Sequence, residues 1–166
     1  MESNRKEASP IEIAALLMDA VCTPTDAEQD ALRELATHLQ VDLERMQSEL
    51  MFLRAFAVDF ATSMTLGQSR AREEILSRYY QHWERIDREV GGGLTTDLQS
   101  RLQLYTENLD SSEGSAADLQ GLIGGIFARC CGAAEAEGEL VLLGGAMFGA
   151  LFAEIADLLH EVDIAY

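Results

Sequence analysis

Between residues 43 and 64 the apolar side chains fall at Leu43, Met46, Leu50, Leu53, Ala57, Phe60 and Met64, in steps that alternate three and four. That alternation traces one stripe along an α-helix, and no other stretch of the chain is so regular. Met51, Phe52, Phe56 and Val58 add apolar surface outside the stripe. The helix, expected over 42–66 and about 37 Å long at 1.5 Å per residue, is therefore predicted to be surrounded rather than laid on a surface. A helix with apolar residues on several sides needs several partners. The fold class that follows is all-α, an irregular antiparallel bundle of six to seven helices around this central one.

Cap signals divide the rest of the chain. A Ser or Thr followed three residues later by Glu, Gln or Asp satisfies amides that the first helical turn leaves unpaired. Ser9-Pro10-Ile11-Glu12 opens a helix to about Cys22, with Pro10 where its missing N–H is harmless. Pro24 enforces a break, and Thr25 with Glu28 opens a second helix bearing Leu32, Leu35 and Leu39. Leu39 and Leu43 are in step for one continuous helix, but Asp42 can serve as a cap, and the break is the favoured reading. Gly67 ends the central helix; the next, over 69–90, carries Ile75, Leu76, Tyr79, Tyr80, Trp83, Ile86 and Val90 and stops at Gly91–Gly93. Thr96 with Gln99 is read as the cap of a helix bearing Leu98, Leu102, Tyr105 and Leu109, followed by a turn over Asp110–Gly114. Ser115 with Asp118 begins the sixth helix, and the last follows a Gly132–Gly138 linker and ends near His160. No run alternates with period two, so no strand is predicted. Residues 1–166 read as a single helical domain, with residues 1–8 disordered.

The two C-terminal helices are laced with small residues. Glycine in a helix interior costs about 0.5–1 kcal/mol relative to alanine, so glycines kept on one face imply that close packing compensates. Gly121 and Gly125 on the first of these helices, and Gly145 and Gly149 on the second, are predicted to be the close-packing positions. The contact they serve is either between two helices of one chain or between two chains.

Charge narrows the partners. Acidic residues number 29 against 12 basic ones, for a net charge of −17. Beyond residue 91 the only bases are Arg101 and Arg129. Phosphate backbones and anionic lipid surfaces are repelled by such a surface, so nucleic acid is not an expected partner, whereas a basic protein is compatible. The longest uncharged run, Leu140–Ala153, is shorter than the roughly 20 apolar residues of a transmembrane helix, so no membrane span is expected. The three cysteines, Cys22, Cys130 and Cys131, lack the spacing of a disulfide framework, and the N-terminus lacks the apolar stretch of a signal peptide. A cytoplasmic location is the expectation.

Few residues carry a chemical signal. Asp157 and His160 lie one helical turn apart and are the best metal-like pair, with Glu34 and His38 a second; a closed site needs three or four converging ligands. His82 sits among aromatic residues but shares its helical side with Arg78 and Arg85. Asp59, within Phe56-Ala-Val-Asp-Phe60, and Arg54 nearby are charges in apolar surroundings, each of which must find a partner or shift its ionisation. Cys130 and Cys131 read as small buried hydrophobes, with Arg129 close enough to activate a thiol if one were exposed. Nucleophilic triads, phosphate loops and zinc-finger spacings are absent from the sequence, and no cofactor is implied.

The function expected from these observations is a non-catalytic interaction, adaptor, regulatory or assembly protein that self-associates or binds a protein partner. The alternative is a small-ligand binder or enzyme with a pocket between the 42–66 and 69–90 helices. Phe52, Phe56, Tyr79, Tyr80 and Trp83 would line that pocket and Asp59 would supply its polar contact.

Overall fold

The structure is a computed structural model that describes residues 5–110, 116–133 and 138–166. The elements among them run β1 (Lys6–Ala8), α1 (Pro10–Cys22), α2 (Asp26–Leu39), α3 (Leu43–Leu66), α4 (Arg70–Val90), α5 (Leu94–Asp110), α6 (Ala116–Cys130), α7 (Gly138–Glu161) and β2 (Val162–Ile164). The fold is an all-α bundle with one very small sheet. The cap chemistry operates as its residues dictate. Ser9 and Thr25 form reciprocal capping boxes with Glu12 and Glu28, and Asp42 accepts the Glu44 amide after Gln40 turns through the left-handed region at φ 54°, so α2 and α3 are separate helices. α5 departs from its predicted start. It begins at Leu94, whose amide donates to Asp87 Oδ1 of α4 at 2.9 Å, so the cap comes across the glycine turn and not from Thr96. The turn predicted over 110–114 and the Ser115 cap fall largely outside the described residues, as does most of the 132–138 linker.

α3 is enclosed. Its residues Phe52–Val58 are all buried, and Met46, Leu50 and Leu53 from the predicted stripe lie in the core. The stripe's end does not: Met64 is 64% exposed, on the outward side of a helix whose Thr62 is buried and whose Leu66 still packs against the core. Phe56 stacks on Tyr105 of α5 at 4.8 Å between ring centroids and on Phe148 of α7 at 5.9 Å, and Phe60 packs against Phe148 and Phe152.

Four charged residues of α3 each reach a different part of the bundle. Arg45 Nε donates to the Cys130 carbonyl at the end of α6, at 2.9 Å. Glu49, buried, takes the Arg101 guanidinium of α5 at 2.6–3.1 Å in a two-pronged pair. Arg54, 6% exposed, donates twice to the Ala20 carbonyl in the last turn of α1 and once to Glu28 in the first turn of α2, at 2.9 Å. Asp59 accepts from Tyr80 of α4. The Ala20 contact places a cation at the negative end of α1, where the helix dipole favours it.

The glycines define the α6–α7 contact. A methyl group at Gly124 would fall onto the Val141 carbonyl oxygen; one at Gly145 would come within 2.6 Å of the Gln120 carbonyl, and one at Gly144 within 2.6 Å of the Phe127 ring. A methyl group at Gly149 would come within 2.5 Å of the Gln120 side-chain amide. Gly121 and Gly125, predicted as close-packing positions within one chain or between two, take no part in this contact: among the described residues nothing lies within 4 Å of a methyl group at either. Gly124, one residue before Gly125, turns to α7 in their place.

Two three-residue strands correct the expectation of no strand, and that of disorder for residues 6–8; residues 1–4 of the segment expected to be disordered lie outside the described residues. Lys6–Ala8 pairs in parallel with Val162–Ile164, in register Lys6 with Val162, and ties the start of the described chain to the end of α7. Arg5 pairs with Asp163 at 3.6 Å, and the Arg70 guanidinium lies 4.8 Å from the centre of the Tyr166 ring.

Two predictions follow from these contacts. Arg54→Met, which strands Glu28 and the Ala20 carbonyl, lowers unfolding free energy by about 3–5 kcal/mol, whereas Arg33→Met, in an exposed pair with Asp30, changes it by less than about 0.5 kcal/mol. In the same denaturant titrations Gly124→Ala costs at least about 2 kcal/mol through backbone overlap, while Gly121→Ala stabilises by about 0.5–1 kcal/mol.

Candidate functional site

The aromatic residues expected to line a pocket between α3 and α4 fill that space instead. Tyr79 and Trp83 are 0% and 1% exposed, Phe56 4% and Phe52 6%. Tyr79 meets Tyr80 edge-on at 5.0 Å and Trp83 at 6.4 Å, and its hydroxyl donates to the Ala55 carbonyl of α3 at 3.2 Å. Phe56 turns away from this set toward α5 and α7. The predicted lining is thus divided between two parts of one core, and the clefts described below lie elsewhere. The sequence showed the apolar faces but not their partners.

Asp59 has its partners at hand. One carboxylate oxygen accepts from the Tyr80 hydroxyl and the other from Ser63 Oγ at 3.2 Å, while Arg72 Nε donates to Ser63 Oγ at 3.2 Å. The chain Arg72–Ser63–Asp59–Tyr80 bonds α3 to α4. Burial, reinforced by the Asp59 charge, pushes the Tyr80 phenol well above its ordinary range, so it acts as a fixed donor. Such an arrangement orients helices and offers no free base.

Glu49 and Arg101 lie near Tyr105, Cys130 and Cys131. Both of these cysteines are buried, and burial raises the Cys131 thiol to about 12 and the Cys130 thiol in the same direction. Arg129 does not overcome that desolvation. The Tyr105 hydroxyl, fully enclosed, has no hydrogen-bond partner among the described residues. This polar cluster was not identified from the sequence, although Glu49 stands next to Leu50 in the most apolar helix and so invited the question raised for Asp59.

Asp157 lines a groove of 410 Å³ between α1 and α7 with Asp19, Glu154 and Glu161, above Leu16 and Leu158. His160 is exposed, and among the described residues no group of three or more His, Cys, Asp or Glu side chains converges on a metal position. Glu34 and His38 line a broad surface depression beside Glu139 and Leu143. A more enclosed cleft of 330 Å³ lies where α1 ends and α2 begins, over α3, and includes Cys22, Leu32, Leu50 and Arg54.

The outward side of α7 is an apolar surface left uncovered among the described residues. Leu142, 74% exposed, is followed by Ala146, Ala150 and Ala153 at helical spacing, all exposed, and no charge interrupts Leu140–Ala153. The helix has 24 residues and, by length and composition, meets the requirement for a membrane span, which the uncharged run alone did not suggest. Only 39% of its most apolar 18-residue stretch is buried. The inward side, with Leu140, Met147, Phe148, Leu151, Ile155 and Leu159, lies in the protein core.

Thiol accessibility provides a direct check of this arrangement. Iodoacetamide on the native chain at neutral pH modifies one thiol, Cys22, and three after unfolding; two or three native adducts would contradict the burial of Cys130 and Cys131. The raised acids Cys131, Tyr79, Tyr80 and Tyr105 keep their protons in the folded chain at a pH where the unfolded chain loses them. Their contribution to stability is complete below about 9 and declines as pH rises beyond it, so the melting temperature falls between pH 9 and 11.

Comparison of the chain with protein-family models, with curated proteins and with solved structures gave no match.

Proposed function

We propose that this chain is a non-catalytic interaction protein, an adaptor, regulator or assembly factor, that self-associates through the outward side of α7. The observation that carries the reading is the apolar side of α7 left uncovered among the described residues, with Leu142 at its N-terminal end and Ala146, Ala150 and Ala153 beyond. An alanine stripe lets a second helix approach closely, and Leu142 supplies apolar area; a two-fold pairing would present the same stripe from both copies. Gly121 and Gly125 on the neighbouring helix add to the reading. They carry the helix-propensity cost of glycine although, among the described residues, nothing lies close enough to exclude a methyl group at either.

The chemistry elsewhere supports the non-catalytic part. Asp59, Glu49, Arg54 and Arg101 are each engaged in bonds between helices, and the buried thiols are held protonated. Groups so engaged serve as structural ties. A bilayer would also cover the α7 stripe, but the net charge of −17 opposes contact with anionic lipid.

Sedimentation across micromolar concentrations tests the proposal. The chain is expected to sediment as a dimer, and Leu142→Glu as a monomer with unchanged helical content. A wild-type monomer throughout that range would refute self-association.

A further inference from the structure

We infer that the cleft between α1, α2 and α3 is a binding site for a small uncharged ligand with an aliphatic or aromatic body and one carbonyl group. The inference stands apart from self-association, since it uses none of the α7 stripe. Val21, Leu32 and Leu50, each at most 3% exposed, form its floor, and Met51 forms part of its wall. The volume of 330 Å³ lies at the lower end of the range for small-molecule sites, about 300–1,000 Å³. At about 30 Å³ per water-sized group it has room for about ten such groups.

Arg54 decides the chemistry of the occupant. A guanidinium carries five N–H groups, and three of Arg54's are used: two on the Ala20 carbonyl and one on Glu28. The remaining two, one on each terminal nitrogen, have no acceptor among the described residues, and Arg54 is part of the cleft lining. They suit an oxygen acceptor brought in by a ligand. That acceptor is better neutral than charged, because Glu28 already balances Arg54 at 2.9 Å and no second cation lines the cleft. A carboxylate there would face Glu28 uncompensated, whereas an amide, ester or ketone oxygen would take the two donors without that repulsion. Gln47 at the rim offers a further amide contact.

Cys22 supplies the readout, since it lines this cleft and is the exposed cysteine of the three. The experiment measures the rate of N-ethylmaleimide modification of Cys22 in the full chain with millimolar hexanamide or hexanoate. Hexanamide is expected to slow the reaction several-fold and hexanoate to bind at least about tenfold more weakly. Met51→Trp, which fills the cleft from its wall, is expected to abolish the protection; if that variant fails to fold, Gln47→Trp blocks the same cleft from the rim. The inference is overturned if hexanamide gives no protection, if hexanoate protects equally, or if protection survives in a folded filled variant.

Discussion

A helix enclosed on every side cannot leave a charge to solvent, and α3 is such a helix over Phe52–Val58. Each charged residue within or beside that stretch must therefore be met by a neighbour, and the neighbours become fixed by meeting it. Arg54 is the strongest instance. It holds the end of α1 through the Ala20 carbonyl and the start of α2 through Glu28, which is at the same time the capping residue of α2. One guanidinium thus sets the relation of three helices, and the cleft beside it is a consequence of how it spaces them. Glu49 and Asp59 repeat the device toward α5 and α4, and the exposed Arg45 adds a bond to α6.

The α6–α7 pair is held differently. No ion pair joins the two helices among the described residues; backbone proximity at Gly124 and Gly145 does, with the Phe127 ring packed onto Gly144. Dispersion contacts at such short range depend on the absence of side chains, so the geometry tolerates little change. As built, α7 buries one side in the core and leaves Leu142, Ala146, Ala150 and Ala153 in the open.

What was legible in the sequence was local. Ser9, Thr25 and Asp42 caps, the Gly67 stop and the Gly91 turn act within a few residues, and the helices they bound agree with the structure closely. The enclosed position of α3 was legible too, because its apolar residues occupied more than one side. Pairings between distant elements were not. Gly121, Gly124 and Gly125 are all compatible with a small-residue face, and only the position of α7 selects Gly124. The aromatic residues of α4 and Phe56 of α3 both read as core, but Phe56 packs with Tyr105 and Phe148, so residues drawn as one lining are divided within the core. Strands of three residues at opposite ends of the chain have no period to detect. The cleft at Arg54 exists only through three-helix geometry.

The central claim is that the exposed stripe of α7 is where two copies of the chain meet. Cross-linking through that stripe reads it most directly: Ala150→Cys in a Cys22→Ser background, treated with a short bismaleimide at micromolar protein, with Ile11→Cys as an exposed control on α1. The account predicts a covalent dimer for the Ala150→Cys chain and monomer for the control. Monomer from both, or equal dimer from both, would contradict it.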